Sequence, residues 1–335
     1  MKRIAYLILA HSDTEMLLRL LKSLDYKADF YVHIDKKGSI NIEEVRKKFN
    51  KVKFVDRINV FWGGYSMIEA TLNLIDAVVE SGIKYEKAIL LSGQDYPVRS
   101  KEYIYNFMSN NPVNYINAFN VSKIEVPEIK KEITHVYKYD VPLFKKNSLL
   151  FKISRKVINV FLYGIVKKKN VLILPGHKKR WDIYKGSQWW ALNQDVLESF
   201  YDFIHFNSDA HFFIKRMKYV FAPDEKFFQT LFFNSSFKKS NLNYGEKDFP
   251  IDLYNRIPRD SGIKDTAYMS EFKNIHIISK DLRKIYTLKD YKEIERIIHL
   301  NKELLFLRKV RNPDSKSLLD LLDEKNGREH DISSN

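Results

Sequence analysis

Three short apolar runs, Ile4–Ala10, Phe30–Ile34 and Ala88–Leu91, each break off into polar residues: His11-Ser12-Asp13, Asp35-Lys36-Lys37 and Ser92-Gly93-Gln94-Asp95. Runs this short and this continuously apolar read as strands buried on both faces. Helical signals lie between them. Ser12-x-x-Glu15 reads as a capping box ahead of Met16, Leu17, Leu20, Leu21 and Leu24 at helical spacing. Ser66-x-x-Glu69 reads as a second, ahead of Ile68, Leu72, Ile75 and Val79. A further short strand, KVKFV at 51–55, precedes the segment RINVFWGGYS. The order β-α-β-β-α-β predicts an α/β protein with a mainly parallel central sheet flanked by helices. Open sheets of this kind bind ligands at the carboxyl ends of their strands. The polar loop after Leu91, with a new helix starting at Ser100, is therefore either a plain turn or the floor of a ligand cleft.

The 335-residue chain is aromatic-rich, with 20 Tyr and 23 Phe, enough for a large core and against a disordered scaffold. It has no cysteine, which removes disulfides and thiolate metal sites and suits a reducing compartment. The apolar run at the amino terminus is too short for a signal peptide and meets polar residues at once. No uncharged stretch reaches the roughly 18 residues of a membrane span. A soluble, cytoplasmic protein is expected. The net charge of +15 admits nucleic acid, anionic lipid and phosphorylated small molecules as partners. Local clusters fall at 145–146, 167–169, 178–180 and 308–311, and most read as solvated surface lysines.

The phosphate-binding patterns G-x-G-x-x-G and G-x-x-x-x-G-K-[ST] are absent, which removes the main support for Rossmann dinucleotide binding and P-loop chemistry. D-x-D is absent too, leaving no metal–diphosphate clamp of that type, and no His spacing suggests zinc. Residues 121–180 read as a partly helical insertion of mixed charge. Order returns with KGSQWWALNQDVLESFYDFI, a strand feeding a helix, then APDEKFFQTLFF, a loop opening an aromatic helix. NIHIISKDLRKIYTL is strand-like, KDYKEIERII helical, and 325–335 a disordered tail. The organisation expected is one domain over 1–324, with a nucleotide-binding half to 120, the insertion, and an acceptor and catalytic half from 181.

In the Ala-Pro-Asp-Glu segment, Pro223 suits a first helical position and Asp224 and Glu225 suit a first turn. The alternative is functional, with Glu225 a general base beside a cleft and Phe228, three residues on, forming an aromatic wall. Arg308, Lys309 and Arg311 follow an apolar segment read as a helix end. They either cap that helix or neutralise a diphosphate, a task Lys280, Arg283 and Lys284 also suit. Trp189 and Trp190 point to opposite faces if they lie on a strand, so one at most faces a ligand. His11, His33 and Asp35 stand at strand ends on the expected ligand edge.

Taken in order, IAYLILAHSDTEMLLRLLKSL, FYVHIDKKG, LLSGQDYPVRSKEYI, KGSQWWALNQD, APDEKFFQTL and ELLFLRKV resemble the successive motifs of the core-2/I-branching glycosyltransferases. That family includes β-1,6-N-acetylglucosaminyltransferases and peptide O-xylosyltransferases. The resemblance runs from residue 3 to about 312 and is poor over 121–180 and 235–280. It implies a GT-A-like nucleotide-sugar-binding fold and inverting transfer from a UDP-sugar, with no required metal and no cofactor. It makes Glu225 the base, places Lys309 and Arg283 (or Lys284) on the diphosphate, and brings His11 and Asp35 near the nucleotide. Ser92, Gly93, Asp95, Gly186, Ser187, Trp190 and Asp224 would line the donor or acceptor cleft.

The chain lacks the membrane anchor and cysteines of the animal members, which points to a microbial, cytoplasmic enzyme, and 241–279 departs from their pattern. A glycan or lipid-linked glycan acceptor is expected, with GlcNAc or xylose as the sugar, and no nucleic acid partner. Glu125, Glu128 and Glu132 of the insertion are candidates for sugar hydroxyls. Surplus positive charge allows peripheral contact with an anionic inner membrane face. Two other classes remain open: a metal-dependent GT-A transferase or nucleotidyltransferase, and a non-enzymatic basic module binding polyanions.

Overall fold

The computed structural model describes residues 2–137, 140, 150, 153–154, 156–157, 160–161, 171–174, 176, 180–242, 274–279, 281 and 283–333. The amino-terminal third alternates strand and helix: β1 Ile4–Ala10, α1 Thr14–Ser23, β2 Ala28–Ile34, α2 Ile42–Lys48, β3 Val52–Phe54, α3 Ser66–Glu80 and β4 Lys87–Ser92. A short β5, Asp95–Pro97, and α4, Lys101–Ser109, follow. The middle of the chain supplies β6 Ala118–Asn120, α5 Pro127–Thr134, β7 Val171–Leu172, β8 Trp181–Asp182, β9 Tyr184–Gly186 and β10 Ala191–Leu192. The last third carries α6 Gln194–Phe206, α7 Ala210–Met217, a 3-10 turn Pro223–Glu225, α8 Phe227–Phe233 and β11 His276–Ile278. It closes with α9 Tyr291–Leu300, β12 Phe306–Arg308 and α10 Lys316–Ser333.

The central sheet has the order β10-β4-β1-β2-β3, parallel throughout except for β10. A strand places alternate side chains on opposite faces, and β1 shows it. Ala5 and Leu7 join α3 and α8 in one core, while Ile4, Tyr6 and Ile8 join α1, α4 and α9 in another. Helices therefore cover both faces, as the unbroken apolar runs require. A second sheet, β11-β12-β5, stands beside the first and begins one short loop after β4.

Several local expectations are corrected. Asp13, not Ser12, caps α1, its carboxylate accepting from the Met16 N–H at 2.9 Å. Ser66 lies inside α3, where its hydroxyl donates to Asp140 (2.6 Å) and accepts from the Phe61 N–H (2.8 Å), so no capping box forms. A short helix, α2, separates β2 from β3. The apolar segment before Lys309 is a central strand, not a helix end, because β11 and β5 satisfy its backbone on both sides. The expected tail is helical as far as Ser333, continuing α10 from its buried Leu318, Leu319 and Leu322.

Lys87, at the start of β4, is wholly buried, yet its ammonium donates to the Asn111 and Val113 carbonyls (2.9 and 2.8 Å) and to Asn193. Burial pushes it down to about 8. It ties the 111–113 loop to the cap of α6. Lys87→Met leaves those acceptors unpaired and should cost about 1–3 kcal/mol in urea unfolding; an unchanged midpoint would show the contacts to be dispensable.

Candidate active site

The carboxyl ends of β1, β2 and β4 open into a cleft of about 850 Å³, within the roughly 300–1,000 Å³ typical of small-molecule sites. His11, His33, Asp35, Ser92 and Gln94 form its floor. His33 accepts the Ile58 N–H on Nε2 (3.2 Å), and burial lowers it to about 4, so it is a neutral structural ring at neutral pH. Burial lowers His11 as well, against the pull of Asp35. Asp35 accepts from the backbone N–H groups of Lys37 (2.9 Å) and Val60 (3.3 Å), which shapes the loop it opens.

One wall is cationic. It consists of Arg308 and Lys309 at the end of β12, with Arg283 and Lys284 beside them. Asp95 organises it from below. Fully buried, its carboxylate accepts the Ser92 N–H at 2.7 Å, meets Arg308 Nη1 at 2.8 Å and lies 3.3 Å from His276 Nε2. Burial would raise Asp95, but Arg308, His276 and the Ser92 N–H together outweigh it and hold it below the usual carboxylate range. The Arg308 guanidinium also lies over the Trp189 ring, 4.2 Å from its centroid. Lys309 follows with its ammonium half-buried, lowered by burial and by Arg308.

Asp224 and Glu225 line the same cleft. Ala222, just before them, has φ 42°, a left-handed conformation costing a non-glycine residue roughly 1–2 kcal/mol. It turns the Pro-Asp-Glu segment toward the cleft. The wholly buried Lys226 braces that turn, donating to the Phe221 and Ala222 carbonyls (2.9 and 3.4 Å), and Glu132 of α5 holds Lys226 at 2.8 Å. Glu132 also receives Lys185 of β9 at 2.7 Å, and Lys185 reaches Glu225 at 3.5 Å. Burial alone would lower Lys185 and raise Glu132, but Glu225 and then Glu132 hold Lys185 up, and Lys226 and then Lys185 hold Glu132 down. Burial and the neighbouring Glu225 push Asp224 up to about 7. Glu225, about one-third exposed, is the carboxylate of this group that solvent reaches most freely.

A model of the core-2/I-branching enzyme family matches residues 4–247. The chain belongs to that family. Among similar proteins, dog (Canis lupus familiaris) xylosyltransferase 2 is 26% identical over 243 residues, 70% of this chain and 25% of the relative. The rat (Rattus norvegicus) β-1,3-galactosyl-O-glycosyl-glycoprotein β-1,6-N-acetylglucosaminyltransferase 3 is 22% identical over 234 residues, 68% of this chain and 46% of the relative. The chain thus spans a quarter to under half of the length of these relatives. S. aureus TarS 1–349 aligns over 67% of this chain and 56% of its own at 14% identity and a TM-score of 0.28, a likeness that carries no argument.

For this member of the branching-enzyme family, the structure gathers most of the residues the motifs single out. His11, Asp35, Ser92, Gly186, Ser187, Asp224, Glu225, Arg283, Lys284 and Lys309 all border the one cleft. Gly186 is required there, since a Cβ would stand 2.0 Å from the Asn117 carbonyl oxygen. Others are displaced. Asp95 lies beneath the cleft rather than on it, and Gly93 packs against Ala10. Trp190 is core, edge-on to Phe228, and Trp189 faces the cleft instead. Phe228 is equally buried and builds no wall beside Glu225. Glu132 pairs with lysines, and Glu125 with Lys130 at 3.0 Å. Lys280 and the Glu128 side chain lie outside the described residues, as does most of 241–279. Among the described residues no three His, Asp or Glu gather as a metal site, and no helix is long and apolar enough to cross a membrane.

Lys185, Lys226 and His276 did not emerge as site residues from the sequence, and Glu132 emerged as a candidate for sugar hydroxyls where the structure pairs it with lysines. Lys185 and Lys226 adjoin the Gly-Ser and Pro-Asp-Glu motifs, which is the only trace they leave there.

Asp95 gives this site a pH signature. Because its folded pKa is depressed, its stabilisation is complete above the unfolded value of about 4 and is lost as pH falls through the lower folded value. Asp95→Asn should cost about 3–5 kcal/mol at neutral pH, the gap from wild type closing in acid. Urea unfolding across a pH series reads this directly, and a pH-independent gap would refute the ionic origin.

Proposed function

We propose that this chain is an inverting glycosyltransferase that moves a sugar from a UDP-sugar to a hydroxyl of a glycan acceptor. Family membership supports the class, and the names of the relatives favour xylose or GlcNAc as the sugar. The observation that carries the reading is the division of one cleft into a carboxylate wall and a cationic wall. Inverting displacement needs both at once: a base on the attacking oxygen and positive charge on the departing diphosphate.

Glu225 takes the proton of the acceptor hydroxyl as that oxygen bonds to the anomeric carbon. The bond from that carbon to the β-phosphate oxygen breaks, and its electron pair leaves with UDP. Lys309, with Arg308 beside it, meets the growing charge on the diphosphate, and Arg283 and Lys284 supplement it. Lys185, 3.5 Å from the Glu225 carboxylate, holds it in place. Ser92, His11 and Asp35 form the floor on which the nucleotide rests. A lipid-linked precursor of a surface polysaccharide suits such an acceptor.

Glu225→Gln should lower transfer by 100-fold or more, on the order of a lost general base, while UDP still raises the melting temperature as in wild type. Retained turnover would remove Glu225 from the role of base; loss of the UDP shift would indicate a damaged cleft instead. Cations supplied by the protein should also make transfer insensitive to EDTA, assayed by UDP release from UDP-xylose and UDP-GlcNAc. Activity that vanishes with chelation and returns with manganese would favour a metal-dependent transferase.

A further inference from the structure

Away from the cleft, the described residues between 150 and 161 are all helical, and five of them expose large apolar side chains. Leu150, Ile153, Val157, Val160 and Phe161 are 59, 49, 62, 69 and 68% exposed. At 100° per residue these five fall within an arc of about 100°, a single stripe facing solvent. A core-facing helix would bury that stripe, as α1 buries its leucines. Exposed Lys156 borders it. The surrounding sequence is one-sided in charge: residues 141–170 contain Lys145, Lys146, Lys152, Arg155, Lys156 and the lysines at 167–169, and no Asp or Glu at all.

We propose that this helix docks the protein on an anionic lipid bilayer, lying in the interface with its apolar stripe among the acyl chains and its lysines among the headgroups. Three features select this occupant. An exposed apolar stripe needs an apolar phase to cover it. A flanking sequence with eight Lys or Arg and no Asp or Glu over 141–170 complements anionic headgroups and would repel a second copy of itself. Lys156, exposed among the described helical residues, rules against a spanning segment and suits one lying in the interface plane. The surface is separate from the cleft, so the proposal stands whatever chemistry the cleft performs.

The test is co-sedimentation of the full chain with vesicles of phosphatidylcholine alone and of equal parts phosphatidylcholine and phosphatidylglycerol. Binding should favour the anionic vesicles and weaken with added salt. The double variant Val157→Asp, Phe161→Asp should lower partitioning by about tenfold or more, and Lys156→Glu by roughly fivefold. Both should keep the wild-type circular dichroism and urea midpoint, because the altered side chains are exposed. Wild type remaining in the supernatant, or variants binding as wild type does, would overturn the proposal. So would light scattering showing a dimer that Val157→Asp, Phe161→Asp dissolves, for the stripe would then belong to a second copy.

Discussion

A single buried carboxylate holds the two sheets in register with the cleft. Asp95 starts β5, its partner Arg308 ends β12, and His276 starts β11, so one side chain touches all three strands of the second sheet. It also accepts the N–H of Ser92, the last residue of β4 in the first sheet. A charge buried this deeply is tolerated only when paired and hydrogen-bonded. The requirement forces β12 into the position that places Arg308 over Trp189 and sends Lys309 to the cleft. The Val310 N–H on the Gln94 carbonyl (3.0 Å) closes the same loop from the other side.

The carboxylate wall depends on a second network of similar construction. Glu132 is the point where α5, β9 and the Pro-Asp-Glu turn meet, since it binds Lys185 and Lys226 together. The Glu132 carbonyl also receives the Phe221 N–H at 3.1 Å. Segment 121–180, which in sequence resembles an insertion of mixed charge, thus contributes a residue on which the turn at Ala222 relies. Beside Glu225, burial and that neighbouring carboxylate push Asp224 up to about 7.

The first sheet was legible in the sequence because its evidence is local: unbroken apolar runs, helical spacing and polar strand ends all lie within a few residues of one another. The second sheet was not. LLFL before Arg308 is too short to separate strand from helix by periodicity, and the contact that decides it, Asp95 with Arg308, spans 213 positions. The tryptophan pair shows the same boundary. Alternation correctly allowed only one to face the cleft, but choosing between them needs the pairing of β10 with β4, where the Trp190 carbonyl accepts the Leu90 N–H. Asp95 itself was legible as important but not in its position, since a strand-end Asp looks the same whether it borders a cleft or, as here, is buried beneath one.

The cationic wall is not uniformly available to an anion. Asp95 holds Arg308, Asp290 holds Lys284 at 2.7 Å, and Asp281 holds Arg283 at 3.3 Å. Lys309 ion-pairs with none of the described carboxylates, and burial and Arg308 already lower it. An ammonium in that position gains more from an arriving anion than one already neutralised, because binding supplies the counter-charge that folding withheld. The paired cations contribute less net charge, and of them Arg308, held by the buried Asp95, is the most firmly positioned. Among the described residues the wall therefore combines paired cations with one ammonium, Lys309 at the end of a strand held by Asp95, that has no carboxylate partner.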